Sequence, residues 1–101
     1  MAPQLDADWT QLSAFQRDLL VAISQLKRSD ETCYGLAIKR VVEDVYPETV
    51  THGRLYQNLD ELDEQHLIEK RQLDRRTNEY VITDEGTALL RTHAELLQSL
   101  V

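Results

Sequence analysis

Apolar residues recur every three or four positions over most of the chain, switch to alternation after residue 66, and return to helical spacing near the end. Leu12, Phe15, Leu19, Ala22, Ile23 and Leu26 make the first stripe and predict a helix. Ser13 and Gln16 stand three apart at its start, the spacing of a capping box. Lys27, Arg28 and Ser29 close it, with cations at the negative end of the dipole. A second helix, capped by Thr32 and running through Val45, places Tyr34, Ile38, Val41, Val42 and Val45 on one face. Pro47 forbids its continuation and biases Tyr46 to extended geometry. Thr51 then caps a third helix, whose inner stripe is Leu55, Leu59 and Leu62, helped by Tyr56, and which ends near Gln65 or His66. Residues 67–73 and 79–82 alternate and read as two strands joined by the polar loop 74–78. Thr83 caps a last helix with the stripe Leu89, Leu90, His93, Leu96, Leu97 and Leu100.

The expected order is three helices, a hairpin and a long helix. That is a mainly α fold with a small β-hairpin, the winged helix-turn-helix plan. The 101 residues suffice for one domain. Within it, residues 1–10 read as an N-terminal arm anchored by Trp9, 11–83 as the winged unit and 84–101 as a C-terminal helix.

Composition narrows the function. The longest apolar run, Leu19 to Ile23, is five residues, far short of a membrane span. The first six residues have neither a basic start nor an apolar stretch, so no secretory signal is expected and the chain is assigned to the cytoplasm. Cys33 is the single cysteine, which excludes an intrachain disulfide and a multi-cysteine zinc site. The net charge of −7 argues against nucleic acid when taken alone. Only Lys27, Lys39 and Lys70 are lysines among eleven cations, and an acid-rich, lysine-poor balance points to a halophilic source. The cations are also uneven: Lys70, Arg71, Arg75 and Arg76 face one acid, Asp74, giving a local +3 on a body of −10.

The third helix carries the most informative chemistry. Arg54, Gln57, Asn58 and Glu61 fall at i, i+3, i+4 and i+7, on the side expected to point outward. Arginine can hold guanine O6 and N7 bidentately, and Asn or Gln can do the same to adenine. Thr51, His52 and the free N–H groups of the first turn favour phosphate. The bland reading is a solvated helix face. The arginine pair Arg75 and Arg76 on the hairpin tip suits phosphates or a narrow minor groove, and the two features together favour double-stranded DNA. Tyr56 joins the backbone-contact candidates.

No catalytic pattern competes. His52, His66 and His93 lack metal-ligand spacing, and no metal or cofactor is expected. Gly35, Gly53 and Gly86 make no phosphate loop. Cys33 has two readings: a thiol acidified by a helix dipole and able to sense oxidants, or, the favoured one, a buried inert side chain. The last helix also has two. It can fold back on its own domain, or it can form a two-fold seam through Leu89, Leu90, His93, Leu96, Leu97 and Leu100; the seam is favoured because a compact winged unit has little surface left for so long a stripe.

Over residues 12 to 98 the chain resembles the PadR-like family of winged helix-turn-helix transcription regulators. The carriers are Tyr34-Gly35-Leu36-Ala37-Ile38, Gly53-Arg54-Leu55-Tyr56 with Leu59 and Leu62, and Leu67-Ile68-Glu69. Arg75-Arg76-Thr77-Asn78-Glu79-Tyr80 and Ile82-Thr83-Asp84-Glu85-Gly86 complete them. The opening Ala14-Phe15-Gln16-Arg17-Asp18-Leu19-Leu20 and the acidity are similar to haloarchaeal members, including repressors of haloarchaeal viruses. The resemblance implies a homodimeric, non-enzymatic repressor on near-palindromic operator DNA. Its third helix would enter the major groove, its wing would touch the backbone and its last helix would dimerise. Gln65-His66 stands where the family often has glycine, so either His66 takes a strained left-handed turn or the turn there differs. A winged-helix module that binds proteins and not DNA is the alternative. The sequence names no operator and no small-molecule effector.

Overall fold

The computed structural model describes residues 7–101. A short helix α1 (Ala7–Gln11) leads into α2 (Ala14–Arg28), and α3 (Gly35–Glu43) and α4 (His52–Glu64) follow. The hairpin β1 (Ile68–Gln72) and β2 (Asn78–Ile82) precedes the long helix α5 (Asp84–Leu100). Of the expected arm, residues 1–6 lie outside the described residues. The remainder is the helix α1, whose Trp9 is buried.

Local chemistry sets the helix starts. At α2 the Ser13 hydroxyl accepts from the Gln16 N–H (3.1 Å) while Gln16 Oε1 accepts from the Ser13 N–H (3.2 Å), the expected capping box. Thr51 accepts from the Arg54 N–H and Thr83 from the Gly86 N–H in the same way. Two helices end in left-handed residues without glycine, Asp30 (φ 57°) and His66 (φ 63°). At each, the chain closes a Schellman turn: Glu31 N–H donates to the Leu26 carbonyl, and Leu67 N–H to the Leu62 carbonyl. Of the two outcomes left open by the missing glycine, His66 therefore takes the strained one.

The second expected helix is corrected at its start. Tyr34, not Thr32, is the N-cap, and Tyr34 and Val45 are exposed, not core. The cause is tertiary. Tyr80 N–H donates to the Cys33 carbonyl and Tyr34 pairs with Glu79, so residues 33–34 lie extended along β2. The hairpin is antiparallel, with Ile68 opposite Ile82 and Gln72 opposite Asn78.

One core runs through the unit. Leu19, Leu20 and Ile23 of α2, Ile38 of α3 and Leu55, Leu59 and Leu62 of α4 are wholly enclosed, and Ile68, Tyr80 and Ile82 close it from the hairpin. Gly86 lets α5 cross the hairpin root closely, since a Cβ there would overlap the Leu67 carbonyl and the Ile82 side chain.

Candidate nucleic-acid interface

The turn between α3 and α4 is held by Glu43. Its carboxylate accepts from the Val50 N–H (3.0 Å) and from Lys39 Nζ (3.1 Å), and these bonds, the backbone one first, lower its pKa. Thr51, His52 and Gly53 then begin α4 on the surface. His52 meets the Tyr56 ring edge-on at 6.1 Å. Nothing lies within 4 Å of where a Gly53 Cβ would stand, so the backbone there is open to close approach.

The four-residue row expected to point outward from α4 is divided. Gln57 is exposed and faces away from the core. Asn58 and Glu61 are half-buried and turned toward α2. Gln16 Nε2 donates to Asn58 Oδ1 (3.1 Å) and to Glu61 Oε2 (2.7 Å), while Asn58 Nδ2 donates to the Arg54 carbonyl (2.7 Å). Arg54 is exposed, yet its guanidinium lies 4.0 Å from the Phe15 ring centroid and 5.9 Å from that of Tyr46. The geometry explains the division. A helix turns about 100° per residue, so the line opposite Leu55, Leu59 and Leu62 is Gly53, Gln57, Asp60 and Glu64. Arg54, Asn58 and Glu61 sit on its flank, where α2 packs.

Magnitudes separate the two flank residues. A surface cation–π contact is worth about 0.5–1 kcal/mol, less than the ~1–3 kcal/mol of a bidentate base contact. Arg54 can therefore leave Phe15 for a guanine. Asn58 would give up two hydrogen bonds, about 0.5–1.5 kcal/mol each, and strand part of Gln16. The sequence did not reveal Gln16 in this second role; its only signal was an amide, able to donate, at the capping-box position.

The wing presents its cations unequally. Lys70 Nζ pairs with Asp60 (3.3 Å) and Arg71 with Glu69 (3.3 Å). The Lys70 N–H also donates to Asp63, so two acids of α4 tie the wing root to the helix. Arg75 and Arg76 at the tip are exposed and make no ion pair among the described residues. The tip itself is ordered: Leu73 N–H donates to the Thr77 carbonyl, and Arg76 N–H to Asp74 Oδ1 (2.9 Å). That bond is the main reason the Asp74 carboxyl lies below its usual range. Tyr56 of α4 and Arg76 and Asn78 of the wing line one cleft of about 590 Å³, with Tyr34 and Arg40 of the α3 side. The Tyr56 ring rests where a Cβ on Gly35 would stand.

Of two further candidates, Cys33 keeps its favoured reading and the stripe on α5 changes. Cys33 is buried, and burial with the nearby Glu79 carboxylate pushes its thiol up to about 12. A dipole-acidified sensor thiol is therefore the wrong reading. The stripe on α5 is split. Leu89 is buried in its own core, Leu90, His93 and Leu96 are half-buried, and Leu97 and Leu100 are 51% and 72% exposed. His93 stacks on Trp9 with centroids 4.2 Å apart. Beside them a groove of about 550 Å³, mostly apolar, runs between α2 and α5, lined by Val21, Leu90 and Leu97 among others.

Among the described residues no group of three or more His, Cys, Asp or Glu could hold a metal. Among the same residues no helix is long and apolar enough to cross a membrane. Three helices with a hairpin packed at the third, whose Tyr56 shares a cleft with the wing tip, define a winged helix-turn-helix protein. The model of the transcriptional regulator PadR-like family matches residues 13–92. The chain belongs to that family, which is one of transcription regulators and not of enzymes. A complex structure of hsRosR-S1 is 45% identical, covering 92% of this chain and 79% of that one, with a TM-score of 0.81. RosR of H. salinarum grown from NaBr is 46% identical over 90% and 79% of the two chains, with a TM-score of 0.74. A PadR family transcription regulator from hypervirulent Clostridium difficile is 21% identical, covering 83% of this chain and 88% of that one, with a TM-score of 0.64; that likeness shows the fold alone. A search of curated proteins finds no match.

Proposed function

We propose that the protein is a sequence-specific DNA-binding repressor that acts as a homodimer on a near-palindromic operator. The observation that supports this reading is the cleft shared by Tyr56 and Arg76, in which a side chain of α4 and the wing tip lie beside each other. In this reading α4 enters the major groove, where Gln57 and Arg54 meet base edges, with Asn58 a further candidate. Thr51, His52 and Tyr56 contact phosphates at the start of the helix, and Arg75 and Arg76 reach the flanking backbone or minor groove. The seam is formed by α5. Leu97 and Leu100 supply its exposed part, Leu90, His93 and Leu96 its edge, and Leu89 supports it from the core side. An exposed leucine pair beside a mostly apolar groove is the kind of patch that marks an interface. Two-fold pairing would set the α4 helices about one turn of DNA apart, hence the near-palindrome. The acid-rich, lysine-poor composition and the 45% identity to haloarchaeal RosR support a halophilic, cytoplasmic setting.

The test is selection of duplexes from a random pool on the purified protein, followed by gel shift with the recovered sequence and with scrambled DNA. Gln57→Ala should cost about 1–3 kcal/mol on the selected duplex and little on scrambled DNA. Equal binding of both DNAs by the wild type would refute the reading.

A further inference from the structure

We propose that Gln16 is a positioning residue for operator reading: its side-chain amide fixes α4 on α2 through Asn58 and Glu61, and so decides which edge of α4 faces the DNA. The inference rests on the DNA reading above. Among the described residues Gln16 is the one buried polar or charged side chain, 7% exposed. Its carbonyl end is committed to the Ser13 N–H and its amino end to Asn58 and Glu61. One side chain thus joins the start of α2 to the middle of α4.

The chemistry of the two ends makes the amide necessary. A capping box is served equally by Glu or Gln, because only an acceptor is needed at the Ser13 N–H. The other end needs a donor, since both groups it meets there, Asn58 Oδ1 and the Glu61 carboxylate, are acceptors. Glutamate at 16 would keep the cap and set two carboxylates against each other. Asn58 also holds the Arg54 carbonyl, so the link reaches the backbone of the first turn of α4. A rotation of α4 by part of a turn would replace Gly53 and Gln57 at the groove by a neighbouring edge. Asn58, bonded to both Gln16 and the Arg54 carbonyl, is accordingly a positioning residue too.

The experiment measures the ratio of affinities for the selected duplex and for scrambled DNA, beside the thermal midpoint. Gln16→Glu should lower that ratio by about tenfold or more, the scale of one lost bidentate contact, with binding to scrambled DNA held within about twofold because that term follows the phosphate contacts. Adding Glu61→Gln gives the new carboxylate a donor at 61 and restores the net charge of the wild type, while the Asn58 amide, turned over, donates to it in place of the Arg54 carbonyl. The double variant should recover the ratio to within about threefold of wild type, a change well under 1.4 kcal/mol. A folded Gln16→Glu with an unchanged ratio overturns the role, as does a loss that Glu61→Gln does not repair. Should Gln16→Glu not fold, Gln16→Met, neutral and of similar length, carries the same expectation, and an unchanged ratio in it overturns the role. A wild type without preference for any duplex fails before the variants do, and would overturn the DNA reading with this role.

Discussion

Replacing both Arg75 and Arg76 by alanine tests the wing through a count. Four cations lie between residues 70 and 76, but the structure pairs Lys70 with Asp60 and Arg71 with Glu69, leaving the two tip arginines for a partner. Each phosphate neutralised on duplex DNA contributes about 0.9 to the slope of log affinity against log salt. Two lost contacts should therefore flatten the slope by about 1.8. Over a fourfold change in salt, that is roughly a twelvefold smaller loss of affinity. At molar salt the screening length is about 3 Å, so only direct contacts register and the slope counts them. The assay is a titration of fluorescent duplex, selected and scrambled in parallel, over a fourfold range of potassium chloride. The double variant should bind both duplexes more weakly, with the same flattening for each. An unchanged slope would mean that the tip does not touch phosphate. A loss confined to the selected duplex would mean that the arginines read bases.

Other expectations concern stability and assembly. His66→Gly relieves a left-handed residue costing about 1–2 kcal/mol, against about 0.5–1 kcal/mol of added chain entropy; it should raise the thermal midpoint, while His66→Ala, which keeps the strain, should not. If the glycine variant melts no higher than the alanine one, the turn is not strained. Leu97→Glu with Leu100→Glu should turn a dimer into folded monomers in light scattering, because each leucine buried at the seam contributes about 1.5–3 kcal/mol; an unchanged dimer would place the seam elsewhere. Cys33, Tyr46 and Tyr80 are all raised to about 12 in the fold, chiefly by burial, from ordinary values of 9.0, 10.0 and 10.0. Their neutral forms are kept by the folded state while the unfolded chain begins to lose protons near pH 9, so stability should be flat below that and fall from pH 9 to 12. A urea midpoint equal at pH 8 and pH 10.5 would contradict this.

Caps and periodicity were legible because they are local. Ser13 with Gln16, Thr51 and Thr83 each bond a backbone N–H three residues on, and the leucine stripes repeat with the helix itself. The start of α3 was not legible. Thr32 has the side chain of a cap, but Cys33 and Tyr34 are drawn along β2, some 45 residues away in sequence, before the helix can begin. The outer face of α4 was read from four polar residues within one arc, and nothing local says that one flank of that arc meets α2.

By itself the sequence determined the order of elements, the inner stripes of α2 and α4 and the basic hairpin tip, all of which depend on neighbours within a few residues. Only the tertiary structure decided the rest. It assigned Leu89 to the core and Leu97 and Leu100 to the surface, because the hairpin root covers just the first turns of α5. It enclosed Cys33 and so removed its acidity. It also gave Gln16 two partners more than forty residues away, a bond between helices that no spacing along the chain encodes.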